Sequence, residues 1–284
     1  MSSLFLRISK KLLPPATRFH LRTVRHCPAV QWAYVRRGEA GKAMRGFRLC
    51  GEVFANALCA VGLLKPRCEC EFCGWTGYHF IALYYVDCYH AEAFCPACRL
   101  LDRYRTLVHF VRTSEWGREV KQRQLRVLDV APTETSGDML RQEFGAGEVV
   151  GFDIENPWAT VLGDLQRMEF ASESFDLILC YEVLDYIPRD DVGISEMFRV
   201  LKPGGSVLLQ VGFDPDLEKT IEYAKPDPDD SGHIRRYGRD LFEKFRAAGF
   251  EDRLVENGDG ASEADRVRFG LDLRPFIILR RPAR

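Results

Sequence analysis

The sequence has no glycine-rich phosphate loop. Its first nucleotide-type turn reads Ala131-Pro132-Thr133-Glu134-Thr135-Ser136-Gly137, with one glycine where a dinucleotide fold carries Gly-x-Gly-x-x-Gly. Without that cradle a pyrophosphate is poorly held, and a phosphate-free cofactor fits better. A secretory signal is missing too. Residues 1–13 mix Leu4, Phe5, Ile8 and Leu12 with Arg7, Lys10 and Lys11, then stop at Pro14-Pro15. That apolar run is too short and too charged to cross a bilayer, although an Arg-rich start also resembles a transit peptide. Acids are scarce in residues 1–67: 13 Lys and Arg face only Glu39 and Glu52, a net +11. The remainder holds 27 basic and 39 acidic residues, about −12. A basic arm on an acidic body suits an anionic partner, either a membrane surface or nucleic acid, or docks on its own acidic domain. No internal repeat or low-complexity segment occurs.

A chain of 284 residues accommodates one α/β domain and a smaller module. Composition divides it into a basic helical arm (1–66), a cysteine module (67–112) and a domain of alternating strands and helices (113–284). In the arm, Cys50, Val53/Phe54, Ala57/Leu58, Val61 and Leu64 recur at helical spacing before Pro66, a stripe that suits a buried face or a membrane interface. In the third region, strands at 127–130, 149–152 and 175–180 precede the turn Leu201-Lys202-Pro203-Gly204-Gly205. The expected fold is a doubly wound, seven-stranded Rossmann-like sheet.

Ten cysteines are many, and four form the pairs Cys70-Glu71-Phe72-Cys73 and Cys95-Pro96-Ala97-Cys98, separated by 21 residues. Two such knuckles supply four thiolates, a tetrahedral set for structural zinc in a reducing, cytoplasmic setting. Gly74 follows the first pair, where a permissive backbone is useful. Cys68, Cys88, His79 and His90 are spare candidates nearby.

S-adenosylmethionine (SAM) is the phosphate-free cofactor that suits the third region. Asp153, at a strand end, is placed to chelate ribose hydroxyls; Asp164, in the turn Gly163-Asp164-Leu165, suits the adenine amine. Asp129, Ala131 and Gly137 flank the methionyl end, and Ile154, Leu165, Cys180 and Tyr181 complete the candidate set.

Gly163-Asp164-Leu165, the run from Ser174 through Tyr181-Glu182-Val183-Leu184-Asp185-Tyr186-Ile187-Pro188, and Phe198-Arg199-Val200-Leu201-Lys202-Pro203-Gly204-Gly205 resemble class I SAM-dependent methyltransferases of the type 11 kind, over residues 124–282. The cysteine pairs, Asp102-Arg103-Tyr104-Arg105, Ala131-Pro132 and His233-Ile234-Arg235-Arg236-Tyr237-Gly238 are similar to a bacterial subgroup with an amino-terminal zinc ribbon. That subgroup carries histidines at the positions of Glu182 and Tyr186. The resemblance implies fold and cofactor, not acceptor.

Methyl transfer needs alignment and, for some acceptors, a base. Glu182 follows a strand, Tyr186 lies one helical turn beyond, and His233 sits in a later loop; these three are the catalytic candidates. Arg235, Arg236 and Arg239 suit an anionic acceptor or neutralise the acids at 227–230. The expected reaction is O- or N-methylation of a small-molecule or glycan-like acceptor. RNA methylation, with ribbon and arm gripping phosphates, is one alternative, and a non-catalytic SAM-binding scaffold another. Peripheral membrane contact through residues 1–66 stays open.

Overall fold

The computed structural model describes residue 36 and residues 40–84, 89–121, 124–227, 230, 232–256, 261–272 and 274–283. Most of the basic arm lies outside the described residues, and with it the transit-peptide reading; so does Cys88. No described helix is long and apolar enough to cross a membrane. The chain forms two compact units, Met1–Thr106 with Ala261–Asp272 and Leu107–Gly260 with Leu273–Arg284.

In the first unit, helix α1 (Ala40–Ala60) precedes two antiparallel pairs, β1 (Cys68–Glu69) with β2 (Thr76–Gly77) and β3 (Ile81–Tyr84) with β4 (Tyr89–Phe94). The helix ends well before Pro66. Gly62 takes φ +78°, and the Leu63 amide donates to the Leu58 carbonyl across the end, a Schellman-type stop. The buried face also differs from the expected stripe. Phe54 and Val61 are exposed, whereas Val53 and Glu52 are buried. Glu52 turns inward because its carboxylate accepts the Ala82 amide at 3.1 Å, and Asn56 bonds the Tyr78 and His79 backbone. Two polar side chains, not a uniform apolar stripe, seat the described part of the arm on the hairpins.

Helix α2 (Asp102–Thr113) leads from the first unit into the second. The second unit is built on β5 (Leu125–Val130), α3 (Ser136–Phe144), β6 (Ala146–Asp153), β7 (Val161–Leu162), β8 (Phe175–Tyr181), α4 (Asp190–Val200) and β9 (Leu201–Gln210). A separate hairpin, β10 (Ile221–Asp227) with β11 (His233–Arg236), precedes β12 (Glu251–Val255). Helix α5 (Glu263–Phe269) returns to the first unit before β13 (Phe276–Arg280) closes the sheet. Strand order is β12-β13-β9-β8-β5-β6-β7, with β13 alone antiparallel to its neighbours. The expected seven-stranded doubly wound sheet is therefore present. Central β5 and β8 are almost wholly buried, as strands covered on both faces must be. Order reverses between β5 and β8, which puts the ligand crevice at their carboxyl ends. The 201–205 turn is a bulge within β9: Phe175 pairs Leu201, Leu177 pairs Ser206, and Gly204 supplies φ +74°.

Candidate cofactor cleft and cysteine cluster

A cleft of about 340 Å³ opens at the carboxyl ends of β5, β6 and β8, within the range of small-molecule sites. Asp153, Ile154, Asp164 and Leu165 line it, as does Ala131. Asp153 ends β6; its Oδ1 accepts the Glu155 and Asn156 amides at 3.0 and 3.1 Å, which leaves Oδ2 without a hydrogen bond among the described residues. Asp164 is likewise oriented by a short turn, accepting the Gln166 amide at 2.8 Å. Gly163 is needed here, since a Cβ would lie 2.6 Å from the Phe152 ring. Phe152 and Gln166 also line the cleft, and no single-residue signal marked either.

Asp129, Gly137, Cys180 and Tyr181 do not line the cleft. Asp129 is buried in β5, where the Ser136 hydroxyl donates to Oδ2 at 2.6 Å. Burial pushes its pKa up to about 7, opposed by that hydroxyl. Thr133 and Ser136 exchange side-chain-to-backbone bonds and so tie the loop to the start of α3. Gly137 lies within α3, and Cys180 and Tyr181 are buried in β8.

On the other side of the cleft, Glu182 and Tyr186 line the wall. The helical reading of 182–188 does not hold: this segment is turns and bends, and α4 starts only at Asp190. Its carbonyls are instead bound by Arg235, which donates to Leu184, Ile187 and Pro188 at 2.9, 2.6 and 3.1 Å. Arg235 also pairs with Glu222, Arg236 with Asp230 and Arg239 with Glu218. Among the described residues, Arg236 neutralises the acidic run as expected, at Asp230. His233 opens β11 instead of lying in a loop, and its ring meets Tyr186 edge-on at 4.8 Å.

Asp185 is the residue that sequence reasoning passed over. It is fully buried; Oδ1 accepts the Gly212 amide at 2.8 Å, and Oδ2 has no hydrogen bond among the described residues. Burial first, then the nearby Glu182 carboxylate, raises its pKa to about 7. Its three-residue spacing from Glu182 was the only available signal.

In the first unit the four expected cysteines converge, their Sγ atoms all within 4.8 Å of one another. Cys70 and Cys98 are 3.8 Å apart, Cys73 and Cys95 3.7 Å. Four thiolates at about 2.3 Å from a tetrahedral ion stand roughly 3.8 Å apart, so the cluster fits a metal. The knuckles share one geometry. Gly74 and Arg99, each four residues after the first cysteine, take φ +71° and +63° and donate to the Cys70 and Cys95 carbonyls. Buried Arg105 binds this unit together, donating to the carbonyls of Glu92, Ala93, Leu100, Phe269 and Gly270. Its guanidinium lies 3.8 Å from the Phe80 ring centre. Cys68 stays outside the cluster, facing the Tyr78 carbonyl, and burial raises its pKa to about 11.

Residues 116–209 match the family model described as a methyltransferase domain. Over that third of its length the chain is similar to methyltransferase domains. Sterol 4-C-methyltransferase strm-1 of Caenorhabditis elegans is 32% identical over 102 residues, 36% of this chain and 27% of that protein. The ubiquinone/menaquinone biosynthesis C-methyltransferase UbiE of Nitrosospira multiformis is 30% identical over 128 residues, 39% and 48% of the two chains. The matched region thus spans about a quarter to a half of these curated relatives. Among solved structures, Haemonchus contortus phosphoethanolamine N-methyltransferase 2 is 16% identical with a TM-score of 0.40, covering 57% of this chain and 50% of that one.

Proposed function

We propose that the protein is a SAM-dependent methyltransferase acting on an oxygen or nitrogen of a small-molecule or glycan-like acceptor. The observation that carries this reading is the meeting of Asp153 and Asp164 in one cleft at the sheet's switch point, beside a loop with no pyrophosphate cradle. The lining suits the cofactor. Asp153 Oδ2 is available to ribose hydroxyls, Asp164 and Gln166 offer a polar edge to adenine, and Phe152, Ile154 and Leu165 offer apolar contact. When bound, the cofactor supplies a methyl group on a sulfonium that becomes a neutral thioether. The chain's part is to hold the reactants in line and keep water out, with Glu182 and Tyr186 on the acceptor side and His233 against Tyr186. With no cation held between them, Glu182 and His233 are the groups there able to take an acceptor proton.

Zinc is the metal proposed for Cys70, Cys73, Cys95 and Cys98. Protein thiolates fill all four positions, so its role is to fold the ribbon. The activity is tested with methyl-tritiated SAM offered to separate small-molecule, glycan and RNA fractions. Label is expected in one of the first two. Label confined to RNA overturns the acceptor class; no label in any fraction overturns the activity.

A further inference from the structure

A second group of ligating side chains lies in the methyltransferase unit. Glu182, Asp185 and His233 each bring one donor atom within 4.8 Å of the other two, close to the span of two metal–ligand bonds of about 2.2 Å each. We propose that Glu182, Asp185 and His233 bind a first-row divalent cation.

The side chains themselves point to a ligand. His233 is 5% exposed, yet among the described residues neither ring nitrogen makes a hydrogen bond. Nε2 faces Glu182 Oε2 at 3.9 Å, and Nδ1 faces Asp230 Oδ1 at 3.5 Å. Asp185 is 0% exposed, and its Oδ2 has no hydrogen bond among the described residues. Buried polar atoms are normally satisfied, so Asp185 Oδ2 and His233 Nε2, which have no hydrogen bond among the described residues, leave places for a ligand.

The surroundings orient the set as outer-shell groups do. Asp230 stands behind the imidazole, its Oδ1 facing Nδ1 at 3.5 Å so that Nε2 turns toward the ion, and Arg236 in turn holds Asp230 at 3.1 Å. Arg274 binds Glu182 Oε1 at 2.8 Å, which leaves Oε2 as the donor. The Gly212 amide fixes Asp185 Oδ1 and frees Oδ2. One imidazole nitrogen and two carboxylate oxygens suit Mn²⁺, Fe²⁺ or Zn²⁺ better than a thiolate-preferring ion. The assignment concerns these three side chains and stands whether or not the neighbouring cleft takes SAM.

The test uses the full chain with its cysteine cluster loaded with zinc, titrated with Mn²⁺ and followed by the electron paramagnetic resonance of free aquo-Mn²⁺. One Mn²⁺ per chain is expected to bind, with nitrogen coupling from one imidazole in the bound-ion spectrum. Asp185→Asn and His233→Gln are each expected to weaken binding at least 10-fold, while zinc content stays unchanged. Absence of Mn²⁺ binding, or bound Mn²⁺ without imidazole coupling, overturns the proposal, and neither result needs a variant. Unchanged affinity in Asp185→Asn overturns it as well. SAM binding, measured separately by calorimetry, reports on the cleft alone.

Discussion

Ala131 and Glu182 occupy equivalent places on neighbouring parallel strands: each is the first residue past its strand, β5 or β8, and each holds a left-handed backbone, φ +56° and +58°. The two bends flank the point where strand order reverses, and both residues line the cleft. A residue with a Cβ pays about 1–2 kcal/mol for that conformation, so the chain holds strain on both sides of its ligand crevice.

Replacing Ala131 with glycine removes that steric cost and loses some chain entropy. Ala131→Gly is expected to change stability by between zero and about +1 kcal/mol in urea unfolding. A loss above about 1 kcal/mol would show that the alanine methyl is needed there.

Asp129 links stability to pH. Its folded pKa of about 7 lies above the unfolded value near 3.9, so its contribution is complete below pH ~4 and is lost as pH rises through 7. Asparagine is neutral throughout and still accepts from Ser136. The melting temperature of Asp129→Asn, relative to the parent chain, should therefore rise between pH 4 and pH 8. A pH-independent difference would contradict the buried-carboxyl account.

The paired knuckles give an asymmetric expectation. Gly74→Ala forces a Cβ into φ +71° and should cost about 1–2 kcal/mol, although no atom lies in its way. Arg99→Gly removes such strain and should stay within about 1 kcal/mol of the parent. Equal losses in thermal melts would mean that the turns are not equivalent.

Arg105 is the heaviest single commitment of the first unit. Arg105→Ala leaves five backbone carbonyls without their donor and should cost at least ~3 kcal/mol. Metal content is expected to fall with it. A stable, metal-replete Arg105→Ala chain would show that water replaces the guanidinium.

The parts of the site legible in the sequence were those coded locally. Asp153 and Asp164 sit at strand ends and turns that their own neighbours create, and each cysteine pair needs only one knuckle. What stayed hidden depends on distant partners. The four-residue step from Glu182 to Tyr186 reads as a helical turn, but Arg235, about 50 residues away, takes the carbonyls of this run. Arg99 does a glycine's work without being one, so only the matched hydrogen bonds reveal the second knuckle's form. Helix α5 packs with the first unit after some 150 intervening residues, through Cys68–Val267 and Glu69–Arg268 contacts that no composition shift announces.

The central claim is that the cleft at β5, β6 and β8 holds SAM through Asp153. Isothermal calorimetry of the full chain with SAM and with its demethylated product tests it most directly. One site per chain is expected, weakened about 10- to 100-fold in Asp153→Ala, the loss of roughly 1.4–2.8 kcal/mol for hydrogen bonds to a carboxylate. No binding of either ligand, or equal affinity in Asp153→Ala, would contradict it.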